Sequence, residues 1–176
     1  MKVFAVCGPS GAGKDTLIDG ARAARPDLYI VRRTVTRPSG PGEDVVGVTP
    51  EEFAAIRNAG RFALDWQAHG LSYGIPISAL KAAQEGQTVI FNASRAMLDK
   101  ASGVFPGLRV INVTASAKVL ARRLAGRGRE TEADIAARLA RDIPLPSGLR
   151  VTTIRNDGTA EDGIAAFLAA LQPVSA

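Results

Sequence analysis

Eight residues near the start of the chain, Gly8-Pro9-Ser10-Gly11-Ala12-Gly13-Lys14-Asp15, have the types and spacing of a loop that cradles phosphate. Glycines let the backbone curl until its N–H groups point inward at phosphate oxygens, and a helix that follows adds its positive N-terminal end. Lys14 then bridges the β- and γ-phosphates of a nucleotide. The usual pattern ends in Ser or Thr, whose hydroxyl holds Mg²⁺. Here Asp15 stands at that position and Thr16 comes one residue late. A carboxylate oxygen is a competent Mg²⁺ ligand, directly or through a water. One step along a helix turns a side chain by about 100°, which directs the Thr16 hydroxyl toward the α-phosphate instead. Asp15 reads equally as a helix N-terminal carboxylate that satisfies free N–H groups, and the two roles are compatible.

Other polar clusters fall at the ends of apolar runs. Arg33-Thr34-Val35-Thr36-Arg37 closes a β-branched stretch, and ligands of open parallel sheets bind at the carboxyl ends of strands. Two arginines there form an anion clamp, or else a pair of solvated surface cations. Phosphorylation of a neutral hydroxyl calls for a carboxylate base, whereas this strand end offers cations, which favours an acceptor that is already anionic. Asn92-Ala93-Ser94-Arg95 ends another strand, and Asn156-Asp157-Gly158 reads as a turn. Arg122, Arg123, Arg127, Arg129 and Arg138 surround a Gly-x-Gly break at 126–128. They form either a phosphate-facing group or a solvated basic helix paired with Glu130 and Glu132.

The elements that must position these residues are visible in the hydrophobic pattern. Residues 2–7 read as a buried strand running into the glycine loop, and DTLIDGARAA reads as the helix after it. Further strands are expected at 29–35, 88–92, 109–113 and 151–154, with 36–47 a loop rich in Gly and Pro. Thr49, Pro50 and Glu52 announce a helix start. Residues 61–74 read as short strands turning near Gly70, and 78–86 as a helix ending at glycine. Ser116 caps AKVLARRL, Thr131 resembles another cap, and Ile164, Phe167, Leu168 and Leu171 line one face of a final helix. Strands alternating with helices predict an α/β chain, a parallel sheet with helices on both faces. The insertion at about 36–75 is expected to form a small lobe of a single domain spanning 1–176.

Composition narrows the function. The chain has 176 residues, 46% of them hydrophobic, and a formal charge of +5. Most of its 22 basic residues are Arg, the better bidentate partner for phosphate. No basic run carries interleaved aromatics for base stacking, so small phosphorylated ligands are expected and nucleic acid is not. One cysteine, Cys7, allows no internal disulfide. No signal peptide or long apolar span is seen, so no membrane partner is expected and the location is expected to be cytoplasmic.

GPSGAGKD, RRTVTRPSGPGED, TPEEF, RFALDWQAHGLSYG, RRLAGRGRETEADIAARLAR and IRNDG together resemble the guanylate kinase family over most of the chain. The GKD ending, N-x-S-R after a strand and GRGRE are closer to its ribose 1,5-bisphosphate phosphokinase branch. The resemblance implies a P-loop kinase with an acceptor-binding lobe and an Arg-rich lid at about 126–138, using ATP and Mg²⁺. It implies nucleotide contacts from Gly8 through Thr16, a metal at Asp15, adenine stacking by Arg127 and adenine reading near Asn156. Arg129 and Arg138 would neutralise the transferred phosphoryl group beside Lys14, and closure of the lid would exclude water.

On the acceptor side Arg37 matches the family's first phosphate-gripping arginine, and Tyr73 matches its phosphate-binding tyrosine. Arg33 stands where a serine is usual, and the second arginine is replaced by the Pro38–Pro41 stretch. Asp65 aligns with the glutamate that reads guanine but is one methylene shorter. A ribose bisphosphate has no base to read and one more phosphate to hold, which Arg33 and His69 are expected to accommodate, with Asn92, Ser94 and Arg95 nearby. Trp66 is expected in the core, and His69 also reads as an exposed turn residue. The implied activity is ATP-dependent phosphorylation of ribose 1,5-bisphosphate, a phosphorylated sugar, to 5-phosphoribosyl 1-diphosphate. A guanylate or other nucleoside monophosphate kinase is the alternative. A non-catalytic guanylate-kinase-like module is opposed by Lys14, Arg127 and Arg129.

Overall fold

A run of five residues with no polar side chain, Val3 to Cys7, lies at the centre of the molecule with every residue buried. The computed structural model describes residues 1–41, 43–126 and 144–172. Strand β1 (Lys2–Cys7) is flanked by β7 (Thr88–Asn92) and β8 (Arg109–Thr114). β2 (Tyr29–Ile30) and β9 (Arg150–Arg155) lie outside them, in the order β2-β7-β1-β8-β9. Every pairing in this sheet is parallel.

Strand alternation sorts the core into two layers. Val3, Ala5 and Cys7 point to one face, where α3 (Ile77–Gln84) and α4 (Leu98–Val104) supply Ala79, Ala82, Leu98 and Ala101. Phe4 and Val6 point to the other, against Leu17 and Ile18 of α1 (Lys14–Ala24), Leu120 of α5 (Ala117–Ala125) and Phe167 of α6 (Ala160–Ala170). Helices thus cover both faces, as the alternation of elements predicts.

A second sheet is built from residues 33–76 in the order β4-β3-β6-β5. It contains β3 (Arg33–Val35), β4 (Val45–Gly47), β5 (Phe62–Ala68) and β6 (Leu71–Pro76). Two expectations are corrected here. The strand expected at 29–35 is two strands, since the chain leaves the first sheet after Ile30 and enters the second at Arg33. The loop expected at 36–47 ends in β4, which pairs in parallel with β3. β4, only three residues long, is too short to signal itself beside the Gly- and Pro-rich stretch before it, and it pairs along the edge of β3. Leu64 of β5 and Ile75 of β6 are buried in the same core layer as Phe91, so the two sheets share packing.

Local signals hold where they are strong. Thr49 and Glu52 form a reciprocal capping box at the start of α2 (Pro50–Asn58), with Pro50 in the first turn. Ser116 caps α5 through Val119 N–H, and Thr159 caps α6. Helix α4 carries no cap and no expectation attached to it. The helix start read at Thr131 lies outside the described residues.

Candidate active site

The loop between β1 and α1 is shaped by two glycines above all. Gly8 has φ 143°, and a Cβ there would sit 2.0 Å from the Val113 carbonyl oxygen. Gly13, at φ 93°, is the helix N-cap, and its Cβ would meet Asn156 Nδ2 at 2.5 Å. No L side chain fits either position without moving backbone or a buried amide. The turn is closed by Ala12 N–H donating to the Pro9 carbonyl at 3.2 Å. Lys14 folds across the loop and donates from Nζ to the carbonyls of Gly8 (2.7 Å) and Pro9 (3.0 Å).

This loop forms one wall of a cavity of about 360 Å³, with Ser10, Lys14, Asp15 and Thr16 at its lining. The facing wall is the second sheet, which contributes Arg33, Arg37, Trp66, His69 and Tyr73, while Asn92 and Ser94 close the end of β7. Register explains the convergence. Trp66 pairs with Tyr73 across β5 and β6, and Tyr73 pairs with Val35 across β6 and β3. Arg33, two residues before Val35, therefore shares their face. The result is a three-layer stack. Trp66 and Tyr73 lie 5.3 Å apart at 12°, and the Arg33 guanidinium lies 5.5 Å from the Tyr73 ring centroid.

Arg33 is half-buried and has no ion pair among the described residues. Burial pushes its guanidinium below the ordinary value, with Tyr73 and Asp15 opposing the shift. A partly desolvated cation without a carboxylate is a receptor for an incoming anion. Arg37 differs. It donates bidentately to Glu43, at 2.6 and 3.1 Å, and that hydrogen bond raises its pKa above the usual value. Glu43 also accepts from Gly40 N–H at 3.0 Å, so a carboxylate occupies Arg37 in the free protein.

Asp15 is exposed in the first turn of α1 and accepts from Asn92 Nδ2 at 3.4 Å. It borders both this cavity and an adjoining one of about 200 Å³, which reaches Arg22 and Asp44 and shares Arg33, Arg37 and Asn92. Among the described residues no three His, Cys, Asp or Glu side chains converge on a metal position. A single carboxylate beside a phosphate cradle suits Mg²⁺, which keeps waters and takes phosphate oxygens as ligands.

Other expected residues stand elsewhere. Asp65 lines neither cavity; it alternates with Trp66 along β5, and its main-chain carbonyl accepts from Lys100 Nζ at 2.7 Å. Arg95 lines neither cavity and donates to Asn112 Oδ1 at 3.1 Å beneath the loop. Asn156 is 6% exposed, and its side-chain amide donates to the Ala12 carbonyl at 2.8 Å. Trp66, expected only to pack, does pack on the core but also lines the cavity. Its partner Tyr73 in SYG is the signal that pointed to this face. Arg127, Arg129 and Arg138 lie outside the described residues. No described helix is long and apolar enough to cross a membrane.

No family model matches the chain. Among curated proteins it is 50% identical over 160 residues to the ribose 1,5-bisphosphate phosphokinase PhnN of Pseudofrankia inefficax, covering 90% of this chain and 84% of that protein. It is 48% identical over 173 residues to the enzyme of the same name from Ruegeria sp., covering 97% and 91%. It also matches a bifunctional ribose 1,5-bisphosphokinase-thymidine phosphorylase of Cupriavidus pinatubonensis at 45% identity, over 96% of this chain but 29% of that protein. Among solved structures, a guanylate kinase from Anaplasma phagocytophilum superposes with TM-score 0.68 at 17% identity, over 96% of this chain and 83% of the other. A gluconokinase from Sinorhizobium meliloti superposes at 0.55, also 17% identical, over 96% and 90%. At such identities these two likenesses concern the fold.

Proposed function

Because the chain belongs to the ribose 1,5-bisphosphate phosphokinase family, we infer that it transfers the γ-phosphoryl group of ATP to the 1-phosphate of ribose 1,5-bisphosphate, releasing ADP and 5-phosphoribosyl 1-diphosphate. The observation that carries this reading is the Arg33–Tyr73–Trp66 stack facing the phosphate loop across one cavity. Asp15, on the loop side, is the only carboxylate among that cavity's described lining residues. An acceptor hydroxyl would need a base there; a phosphate does not.

The roles follow from charge and position. The glycine loop and the α1 N-terminus bind the nucleotide phosphates, and Lys14 leaves the Gly8 and Pro9 carbonyls to reach them. Asp15, which accepts a hydrogen bond from Asn92, would hold Mg²⁺, and the ion would supply neutralisation of phosphate charge. Arg33 grips the acceptor's anion, and Arg37 joins it by exchanging the Glu43 carboxylate for a phosphate of higher charge. Tyr73 holds Arg33 in place and Trp66 backs the tyrosine. His69 and Ser94 complete the wall around the sugar.

The test is a reaction of the chain with MgATP and either ribose 1,5-bisphosphate or GMP, following ADP and the phosphorylated product. Phosphoribosyl diphosphate is expected at a rate at least about a hundredfold above that of GDP. Rapid GDP formation with an inert sugar would overturn the reading and return Asp65 to the site.

A further inference from the structure

We propose that Arg123 and Asn156 are positioning residues for the ATP phosphates, acting through the carbonyls on the back of the glycine loop. Arg123, in the last turn of α5, donates from Nη1 to the carbonyls of Gly11 (3.1 Å) and Ala12 (3.3 Å), and from Nη2 to that of Asn156 (2.9 Å). Asn156 donates its side-chain amide to the same Ala12 oxygen at 2.8 Å, and its backbone N–H to Thr114 at 2.7 Å. Both lone pairs of the Ala12 carbonyl are therefore engaged.

No described peptide bond is cis, and a trans peptide unit points its C=O and N–H in opposite directions. Anchoring the Ala12 carbonyl therefore fixes the direction of Gly13 N–H, one of the donors that must face a phosphate. Anchoring the Gly11 carbonyl fixes Ala12 N–H, which donates to Pro9 and closes the turn. A loop held this way pays no ordering cost when phosphate arrives. The Arg123 charge behind the loop adds to the positive field in front of it. The loop's own sequence supplies none of these donors; they arrive from 111 or more residues away in the chain.

This inference rests on the loop being the nucleotide site, and its test is read without an acceptor. MgADP dissociation constants would be measured by direct titration for the wild type, Arg123→Gln, Arg123→Lys and Asn156→Leu. KM values for ATP and for ribose 1,5-bisphosphate, and the melting temperature without ligand, would accompany them. Arg123→Gln is expected to raise the MgADP dissociation constant and the ATP KM about tenfold. The sugar KM is expected to stay within about twofold. Arg123→Lys, which keeps the charge but reaches fewer carbonyls, is expected to lose about threefold. Asn156→Leu is expected to act in the same direction, and the double variant to lose less than the product of the two, because both serve one oxygen. Unchanged nucleotide affinity in the folded Arg123→Gln protein would overturn the proposal. So would a rise in both KM values in step with a fall in melting temperature. If the Gln protein does not fold, unchanged affinity in Arg123→Lys has the same force. A sugar that proves inert leaves the nucleotide titrations valid.

Discussion

Arg33 occupies a position where a small hydroxyl residue is usual in guanylate kinases, and in the proposed function it is the residue on which acceptor choice turns. Its guanidinium is held by a ring rather than by a carboxylate, so its charge is available to a ligand. Replacing it, Arg33→Ser, is expected to lower kcat/KM for ribose 1,5-bisphosphate by at least about thirtyfold while leaving the ATP KM nearly unchanged. Steady-state kinetics with each substrate varied would decide, and unchanged catalysis would remove Arg33 from the acceptor site. Asp15 is tested differently. Asp15→Ala is expected to raise the Mg²⁺ concentration for half-maximal rate about tenfold, with activity recovering at high Mg²⁺. An unaltered Mg²⁺ titration would leave Asp15 as a helix-start carboxylate only.

At the scale of elements, the β5–β6 hairpin is the device that brings Trp66 and Tyr73 to the loop. Its two turn residues, His69 and Gly70, both have positive φ, 53° and 73°, the geometry that matches the twist of paired strands. Gly at 70 announces that turn in the sequence. The bulge between Phe62 and Leu64, which affects which side chains of β5 face the core, does not announce itself. Helix α6 shows how far a pattern alone reaches. Its apolar face was legible from spacing, and Phe167 at its centre is fully buried. Phe167→Ala is expected to cost about 3–5 kcal/mol in chemical denaturation. A loss below about 1 kcal/mol would mean that α6 docks loosely on the sheet.

Across the whole molecule, the site is assembled from strand ends of two sheets, and the connections between them carry polar ties. Asp157, after β9, accepts from Arg155 Nε and from the backbone N–H of Ser116, both at 2.6 Å, joining the last strand's exit to the start of α5. The Arg155 hydrogen bond and then the Ser116 N–H hold its carboxyl below the ordinary value of 3.8. A depressed folded-state pKa contributes stability that is fully present above the unfolded value and is lost as pH falls through the folded one. Asp157→Asn is therefore expected to melt below the wild type at neutral pH, with the gap closing as pH drops below about 4. Melting curves across pH would check it; a gap that persists in acid would assign the effect to something other than charge.

The sequence by itself determined what depends on neighbours along the chain. The glycine loop, the strand before it, the helix after it, the caps at Thr49 and Ser116, and the two-faced parallel sheet all rest on local sterics and periodicity. Residue types at strand ends pointed to phosphate chemistry, and Arg33, Arg37, His69, Tyr73, Asn92 and Ser94 do line one cavity with the loop. Only the tertiary structure decided which face each side chain takes. Cross-strand register puts Trp66 beside Tyr73 and leaves Asp65 off the cavity, although the two residues are adjacent in the chain. The split of 29–35 between two sheets was invisible because both halves are β-branched and read as one strand. Arg123 and Asn156 became part of the phosphate loop's support for the same reason. A carbonyl's need for a donor is written in the loop, but which distant side chain meets it is set by packing.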